Sequence, residues 1–153
     1  SEDPVTRIQM MDKRQTKVEQ IISLIPKEDQ AVVYGKLDIC IVSWGSPKGP
    51  ILDAIEMHKQ DGYEIGFIDI KLLHPFPTNY IKSLLRDSSI VIDIEANMTG
   101  QLASLIKENL LRDPDYYILK YTGRPMTCTE IFDSLKKILE KKAEKKQVLS
   151  YGD

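Results

Sequence analysis

The chain has 153 residues, a hydrophobic content of 42% and a formal net charge of -2 at pH 7. This length is enough for one domain with its own core, and the charge balance lacks the basic face that nucleic-acid binding requires. We therefore expect no nucleic-acid partner. No apolar run approaches the roughly 20 residues that cross a bilayer, so we expect no membrane partner either. Cys40 and Cys128 lie far apart, which indicates neither a disulfide framework nor a metal site and favours a cytoplasmic setting.

The N-terminal segment is predicted to form one amphipathic helix over residues 3–25. Asp3 suits the capping position, Pro4 suits the first helical position, and Pro26 ends the pattern. Apolar residues recur on one helical face, at Ile8, Met11, Val18, Ile22 and Ile25. This face must pack against the domain that follows or against a partner, and both alternatives stay open. We assign residues 1–29 to an N-terminal helical arm.

Residues 30–142 are predicted to form an α/β domain. Only Gly35, Lys36 and Leu37 separate the apolar runs Ala31–Tyr34 and Asp38–Ser43, so no crossover helix fits and the first strand is expected to be antiparallel to the others. Helical patterns then alternate with strands at Glu64–Ile70, Ser89–Ile94 and Tyr116–Tyr121. The alternation predicts a three-layer α/β/α architecture with a mostly parallel sheet. Residues 143–153 are expected to be a frayed tail.

The exit loops of two neighbouring strands form the candidate site. The crossover rule places strand Glu64–Ile70 on one side of Asp38–Ser43 and strand Ser89–Ile94 on the other. The loops Ser43–Ser46 and Glu95–Gln101 then face each other across the switch-point crevice, where α/β sheets bind ligands. Both loops precede helix N-termini, which favour anions, but the glycine spacing of the phosphate-binding motifs is missing. A free-standing anion- or nucleotide-binding module therefore stays an alternative hypothesis.

Single side chains in the other loops support more than one interpretation. Trp44, the only tryptophan, is interpreted as a buried anchor under its loop or as an interface contact. His74 precedes Pro75 where a catalytic acid or base could lie, although a lone loop histidine more often serves packing or an interface. Arg124 suits either an anionic group or a surface ion pair.

The polar residues that follow the third parallel strand are equally ambiguous. Asn97, Thr99 and Gln101 stand beside Gly100, and loop capping explains them as well as ligand contact does. The acidic residues near the strand ends, Asp69, Asp93 and Glu95, show no spacing that marks a carboxylate pair or a metal site. His58, on a predicted helix, is expected at the surface. The candidate cofactor-binding or interface residues are Ser43, Trp44, Gly45, Ser46, His74, Asn97, Thr99, Gly100, Gln101 and Arg124.

Four short motifs occur in order along the chain and together resemble one known family. They are Ile41-Val42-Ser43-Trp44-Gly45-Ser46, Leu73-His74-Pro75-Phe76-Pro77, Glu95-x-Asn97-x-x-Gly100-Gln101-Leu102 and Thr122-Gly123-Arg124-Pro125. They resemble the C-terminal domain of the α subunit of 2-oxoacid:ferredoxin oxidoreductases of the pyruvate and 2-oxoglutarate type. The opening Glu2-Asp3-Pro4 is similar to the segment that precedes this domain, so we expect a fragment or a cleaved chain.

This resemblance implies a transketolase C-terminal-like fold, with a five-stranded sheet whose first strand is antiparallel. The family oxidatively decarboxylates 2-oxoacids, joins the acyl group to coenzyme A and sends electrons to ferredoxin. Thiamine diphosphate, with magnesium, supports the decarboxylation, and a 4Fe–4S cluster carries the electrons. The resemblance does not say which 2-oxoacid is used or whether coenzyme A touches this domain.

The chain itself lacks the cysteine cluster and the diphosphate-binding pattern that this chemistry needs. The resemblance therefore implies a structural, interface-forming domain with no catalytic residue and no cofactor bound by this chain alone. The implied partners are the rest of the α, or fused γα, subunit and the β subunit, with ferredoxin as the electron acceptor of the complex.

Overall fold

The computed structural model describes residues 3–150, which build a six-stranded sheet. The strands are β1 (Ala31–Tyr34), β2 (Ile39–Ser43), β3 (Gly66–Ile70), β4 (Ile90–Glu95), β5 (Tyr116–Lys120) and β6 (Lys146–Leu149). They lie in the order β1-β3-β2-β4-β5-β6, and only the β1–β3 pair is antiparallel. The predicted antiparallel first strand and the predicted place of β2 between β3 and β4 are both confirmed.

Helices cover both faces of this sheet. They are α1 (Pro4–Leu24), α2 (Lys27–Gln30), α3 (Lys48–Gln60), α4 (Thr78–Leu85), α5 (Gln101–Leu110) and α6 (Cys128–Leu139). The apolar side chains of α3 and α6 pack on one face of the sheet, and those of α4 and α5 pack on the other. Along β2, Ile41 points to the first face while Cys40 and Val42 point to the second, and all three are fully buried. The predicted three-layer α/β/α architecture is confirmed.

The sixth strand corrects two predictions. Five strands and a frayed end after Lys142 were expected, but residues 146–149 pair in parallel with β5, from Tyr117 opposite Lys146 to Lys120 opposite Leu149. Gln147 also donates from Nε2 to the carbonyl of Ser134, at 3.2 Å. An edge strand buries little and often carries lysines, so its sequence has no strong apolar pattern. Residues 151–153 of the predicted tail lie outside the described residues.

The predicted N-terminal helix is confirmed, and its apolar face is largely uncovered. Asp3 caps α1 by accepting a hydrogen bond from the amide of Thr6, at 2.9 Å. None of the residues from Pro4 to Leu24 is buried, and Ile8 and Met11 are 61% and 54% exposed. The C-terminal end is tied to the domain, because Nε2 of Gln30 donates to the carbonyls of Ile22, at 3.2 Å, and Ile25, at 2.8 Å. Beyond that contact, an open groove of about 890 Å³ separates α1 from α4 and α5.

His58 is buried, which corrects the prediction of a surface position. It is 1% exposed, and its ring stacks on Phe132 of α6 with the centroids 4.1 Å apart. Nε2 lies 3.0 Å from the carbonyl oxygen of Phe132 and serves as the donor to it. The contact joins α3 to α6 across 74 positions of sequence, so the local helical pattern of α3 gave no sign of it.

We expect His58 to make folding stability fall in mild acid. Burial lowers its pKa below 6.5, so the unfolded chain takes up a proton first as the pH decreases. The contribution of neutral His58 to the free energy of unfolding is complete above about pH 6.5 and is lost as the pH falls through the folded-state pKa. Denaturation midpoints between pH 8 and pH 5 should therefore decrease less in His58→Phe than in the native chain. His74→Gln, which removes the other histidine, should keep the native slope; equal slopes in all three proteins would contradict the assignment.

Candidate functional site

The two predicted loops do face each other at the carboxyl ends of β2 and β4. They enclose a crevice of about 270 Å³. The residues lining it come from both loops: Trp44, Gly45, Ser46 and Pro47 on one side, and Ala96, Asn97 and Gln101 on the other. This is the switch point of the sheet, where a parallel α/β fold presents its loops to ligands or partners.

Two cross-strand hydrogen bonds build the floor of the crevice. Ser43 is fully buried, and its Oγ donates to the carbonyl of Ile94, at 2.6 Å. Trp44 donates from its indole Nε1 to Oε2 of Glu95, at 3.1 Å. Ser43 is therefore a structural link under the crevice, and Trp44 is anchored by its polar edge with its ring half-buried above it.

Glu95 is the centre of this arrangement. Its side chain is fully buried and accepts hydrogen bonds from Trp44, from Nδ2 of Asn97 at 2.6 Å and from the amide of Ala103 at 3.0 Å. Burial alone would raise its pKa, but hydrogen bonds from Leu102, Asn97, Asp93 and Trp44 outweigh burial and hold the pKa below its usual range. Glu95 is therefore an ionised carboxylate that joins the β2 loop, the β4 loop and the first turn of α5.

Asp93 forms a carboxyl pair with Glu95, contrary to the prediction that the acidic residues are scattered. The two residues stand two positions apart on β4, and this spacing places both side chains on the same face of the strand. Burial, and then the charge of Glu95, raise the pKa of Asp93 to about 10. Asp93 is accordingly neutral at pH 7. The sequence did contain a signal for this pair, because Asp93 and Glu95 stand at i and i+2 in an otherwise apolar strand.

The N-terminus of α5 is already occupied by the protein's own acceptors. Oδ1 of Asn97 accepts from the amides of Gly100, at 2.8 Å, and Gln101, at 3.3 Å. The carboxylate of Glu95 accepts from the amide of Ala103 in the next part of the turn. These amides are the groups that would bind a phosphate, and a buried negative charge now stands among them. An anionic ligand at this helix end is disfavoured.

A second acidic group lies on the other side of β2. Asp69 at the end of β3 is 5% exposed and forms an ion pair with Lys48 of α3, at 3.2 Å. The Lys48 ammonium also lies 5.7 Å from the ring centre of Tyr34, on β1. The sequence did not predict these contacts of Lys48. They form only because the strand order brings β1, β3 and α3 together.

Five of the predicted site residues lie outside the lining of the crevice. Ser43 is buried beneath it, and Gly100 is the buried N-cap residue of α5, with a φ of 66°. His74 is exposed beside the groove under α1. Thr99 is exposed in the β4 loop, and Arg124 is exposed in the loop that follows β5. Within residues 3–150 the structure contains no group of three or more histidine, cysteine, aspartate or glutamate residues that suits a metal ion. In the same range, no helix has both the length and the apolar character needed to cross a bilayer.

Comparison with solved structures identifies the fold. The chain superposes on a 2-oxoglutarate:ferredoxin oxidoreductase from Magnetococcus marinus with a TM-score of 0.79 and 24% identity, over 90% of this chain and 24% of that one. It also resembles a split-gene transketolase, with a TM-score of 0.59 and 22% identity, over 75% of this chain and 43% of that one. At these identities the likeness establishes the transketolase-like fold.

Comparison of sequences identifies the family. The α subunit of 2-oxoacid:ferredoxin oxidoreductase 2 from Aeropyrum pernix is 40% identical over 99% of this chain, and the corresponding α subunit from Saccharolobus solfataricus is 38% identical over 95%. The chain spans about a quarter of the length of these curated relatives, 24% and 23% respectively. Residues 37–131 match the family described as pyruvate:ferredoxin oxidoreductase core domain II. The chain therefore belongs to the 2-oxoacid:ferredoxin oxidoreductase family and contains its core domain II.

Proposed function

We propose that this chain is a structural, interface-forming domain of a thiamine diphosphate-dependent 2-oxoacid:ferredoxin oxidoreductase. The observation that carries the proposal is the match of nearly the whole chain to α subunits about four times its length. In this proposal the assembled enzyme oxidatively decarboxylates a 2-oxoacid, forms the acyl-coenzyme A and passes the electrons to ferredoxin. The domain positions other parts of the enzyme and contributes no catalytic residue.

The donor groups of this chain do not suit the cofactors of such a complex. Two cysteines are too few for a 4Fe–4S cluster, and one of them, Cys40, is fully buried in the core. The first turn of α5 is neutralised by Glu95, so it does not suit the diphosphate of thiamine diphosphate or of coenzyme A. We therefore assign thiamine diphosphate, magnesium, the cluster and coenzyme A to other parts of the complex. We place the whole complex in the cytoplasm.

Two surfaces suit the proposed partners, which are the rest of the α, or fused γα, subunit and the β subunit. One is the uncovered apolar stripe of α1, within the arm formed by residues 1–29. The other is the loop edge of the sheet, where Met98 after β4 and Tyr121 after β5 are 61% and 48% exposed. Exposed apolar side chains grouped on one element are typical of protein interfaces.

The alternatives are less well supported by the geometry. A free-standing anion-binding module would need open amides at α5, and these are taken by Asn97 and Glu95. A catalytic His74 would need an orienting partner, and no described residue forms a hydrogen bond with it. Unchanged turnover of the assembled enzyme after His74→Gln would end that hypothesis.

Native mass spectrometry of the chain isolated from its source tests the proposal, because it identifies the polypeptides that accompany it. Reconstitution with the other subunits then locates the interface. Replacing Ile8 and Met11 by aspartate should weaken assembly by about 30-fold or more, since apolar anchors at interfaces are typically worth about 2 kcal/mol. The isolated variant should unfold as the native chain does, because both side chains are already in solvent.

Leu111→Asp is the matched control. Leu111 is 92% exposed and has a φ of 54°, a conformation that aspartate tolerates, so this variant adds a charge at an apolar surface position away from α1. It should assemble with native affinity. Equal assembly of the α1 variant and the control would show that α1 is not an interface, and isolation of the chain without oxidoreductase subunits would contradict the proposed function itself.

A further inference from the structure

Asp93 is the buried acid that the proposed docking does not use. Its side chain is fully buried at the carboxyl end of β4, and no residue in the range 3–150 donates a hydrogen bond to either of its oxygens. An isolated carboxylate in such a place is strongly disfavoured. The group must therefore either carry a proton or find a donor that is not present among its neighbours.

The neighbours of Asp93 supply no positive charge. Glu95 of the same strand is an ionised carboxylate in contact with it, and Tyr117 of β5 is the other titratable group that faces it. The hydroxyl of Tyr117 donates to Asp113, and Asp113 is paired with Lys145, at 2.8 Å. The Tyr117 hydroxyl and the Lys145 ammonium are therefore engaged by Asp113 and not by Asp93. Val42 of β2 is the register partner of Asp93, and it belongs to the same apolar cluster as Leu102 and Ile106 of α5.

We propose that Asp93 is a positioning residue that keeps its proton and donates a hydrogen bond to the Glu95 carboxylate, holding that carboxylate in the orientation that shapes the crevice. Two carboxylates in contact in a dry site cannot both be ionised, so one of them retains a proton. Glu95 has donors from Trp44, Asn97 and the α5 amides, whereas Asp93 has none. The proton therefore resides on Asp93, and its O–H bonds to the Glu95 carboxylate.

This hydrogen bond controls both sides of the crevice at once. Glu95 receives Trp44 from the β2 loop and Asn97 from the β4 loop, so an unoriented Glu95 would release both. An O–H donor to an ionised carboxylate forms one of the stronger hydrogen bonds in proteins. The inference concerns the internal geometry of the chain and does not depend on which partner the loops meet.

Carboxyl ¹³C NMR of the full 153-residue chain, labelled at aspartate and glutamate, tests the protonation directly. Asp93→Asn removes one aspartate resonance and thereby assigns it. At pH 7 this resonance should lie at the position of a protonated carboxyl group, and it should move to the ionised position only near pH 10. A resonance at the ionised position at pH 7 would overturn the proposal. The native chain alone also tests it, because no aspartate resonance at the protonated position at pH 7 would overturn it as well.

Two variants separate positioning from simple packing. Asparagine keeps a neutral donor at position 93, whereas leucine keeps the volume and removes the donor. The indole N–H of Trp44, the only tryptophan, reports on Glu95 through a single resonance. Asp93→Asn should keep its native shift at pH 7, and Asp93→Leu should shift it and speed its exchange with water at least tenfold.

The pH profile of the same resonance completes the test. As the pH rises through about 10, the native chain should lose the Trp44 hydrogen bond, while Asp93→Asn should not, because the asparagine side chain does not titrate. Tyrosine ionisation affects both proteins equally and cancels in the comparison. Native behaviour of the leucine variant, or parallel profiles of the native chain and the asparagine variant, would show that Asp93 does not position Glu95.

Discussion

Replacing Glu130 by alanine is expected to destabilise the chain by about 3–5 kcal/mol, because the change leaves a buried lysine without its counter-charge. Lys120 is 2% exposed, and its Nζ donates to both carboxylate oxygens of Glu130, each at 2.8 Å, and to the carbonyl of Pro125, at 2.9 Å. Glu130 also accepts from the amide of Thr127, at 2.9 Å, in the capping box of α6. Chemical denaturation measures the loss.

A second variant and a control test the explanation. Changing both partners, as Lys120→Met with Glu130→Gln, should recover much of the lost stability, because it removes the buried charge together with its acceptor. Glu140→Ala breaks the exposed ion pair with Lys142 and should leave the denaturation midpoint nearly unchanged. If Glu130→Ala proved as mild as Glu140→Ala, the buried pair would not stabilise the fold.

Gly66→Ala is expected to destabilise the chain by about 3 kcal/mol or more, at the upper end of overpacking effects. A Cβ at this position would lie 2.1 Å from the carbonyl oxygen of Lys36 and 2.8 Å from Cδ2 of Leu37. The strand order gives the reason. The chain leaves β1, passes the start of β3 and enters β2, so the connecting residues lie directly against Gly66. The obstacle is backbone, which cannot turn aside as a side chain can.

Gly49→Ala provides the same chemical change in open space. Gly49 lies in the first turn of α3, and a Cβ there would meet no atom within 4 Å. Alanine is a better helix former than glycine, so this variant should be as stable as the native chain or more stable, by up to about 1 kcal/mol. Thermal melts of the two variants should move in opposite directions. A shift of the same sign in both would show that the close approach at Gly66 relaxes at little cost.

Local sequence determined the parts of the fold whose cause is local. The apolar run of β2 is typical of a strand covered on both faces, because a strand buried on two sides has little polar alternation. The T-x-x-E spacing of Thr127 and Glu130 is the sequence signature of the capping box that begins α6, since that motif needs only one turn of helix. The ordered motifs along the chain likewise predicted the family and, through it, the transketolase-like fold.

The sequence by itself thus determined the layers, the antiparallel first strand and the two loops that form the crevice. Only the tertiary structure decided which charges are buried and in what state, because burial depends on elements that meet far apart in sequence. β6 became a strand through pairing with β5, and His58 became a core residue because α6 covers it. Asp93 and Glu95 have similar intrinsic acidity, and they differ here because donors converge on Glu95 while no described residue donates to the buried Asp93.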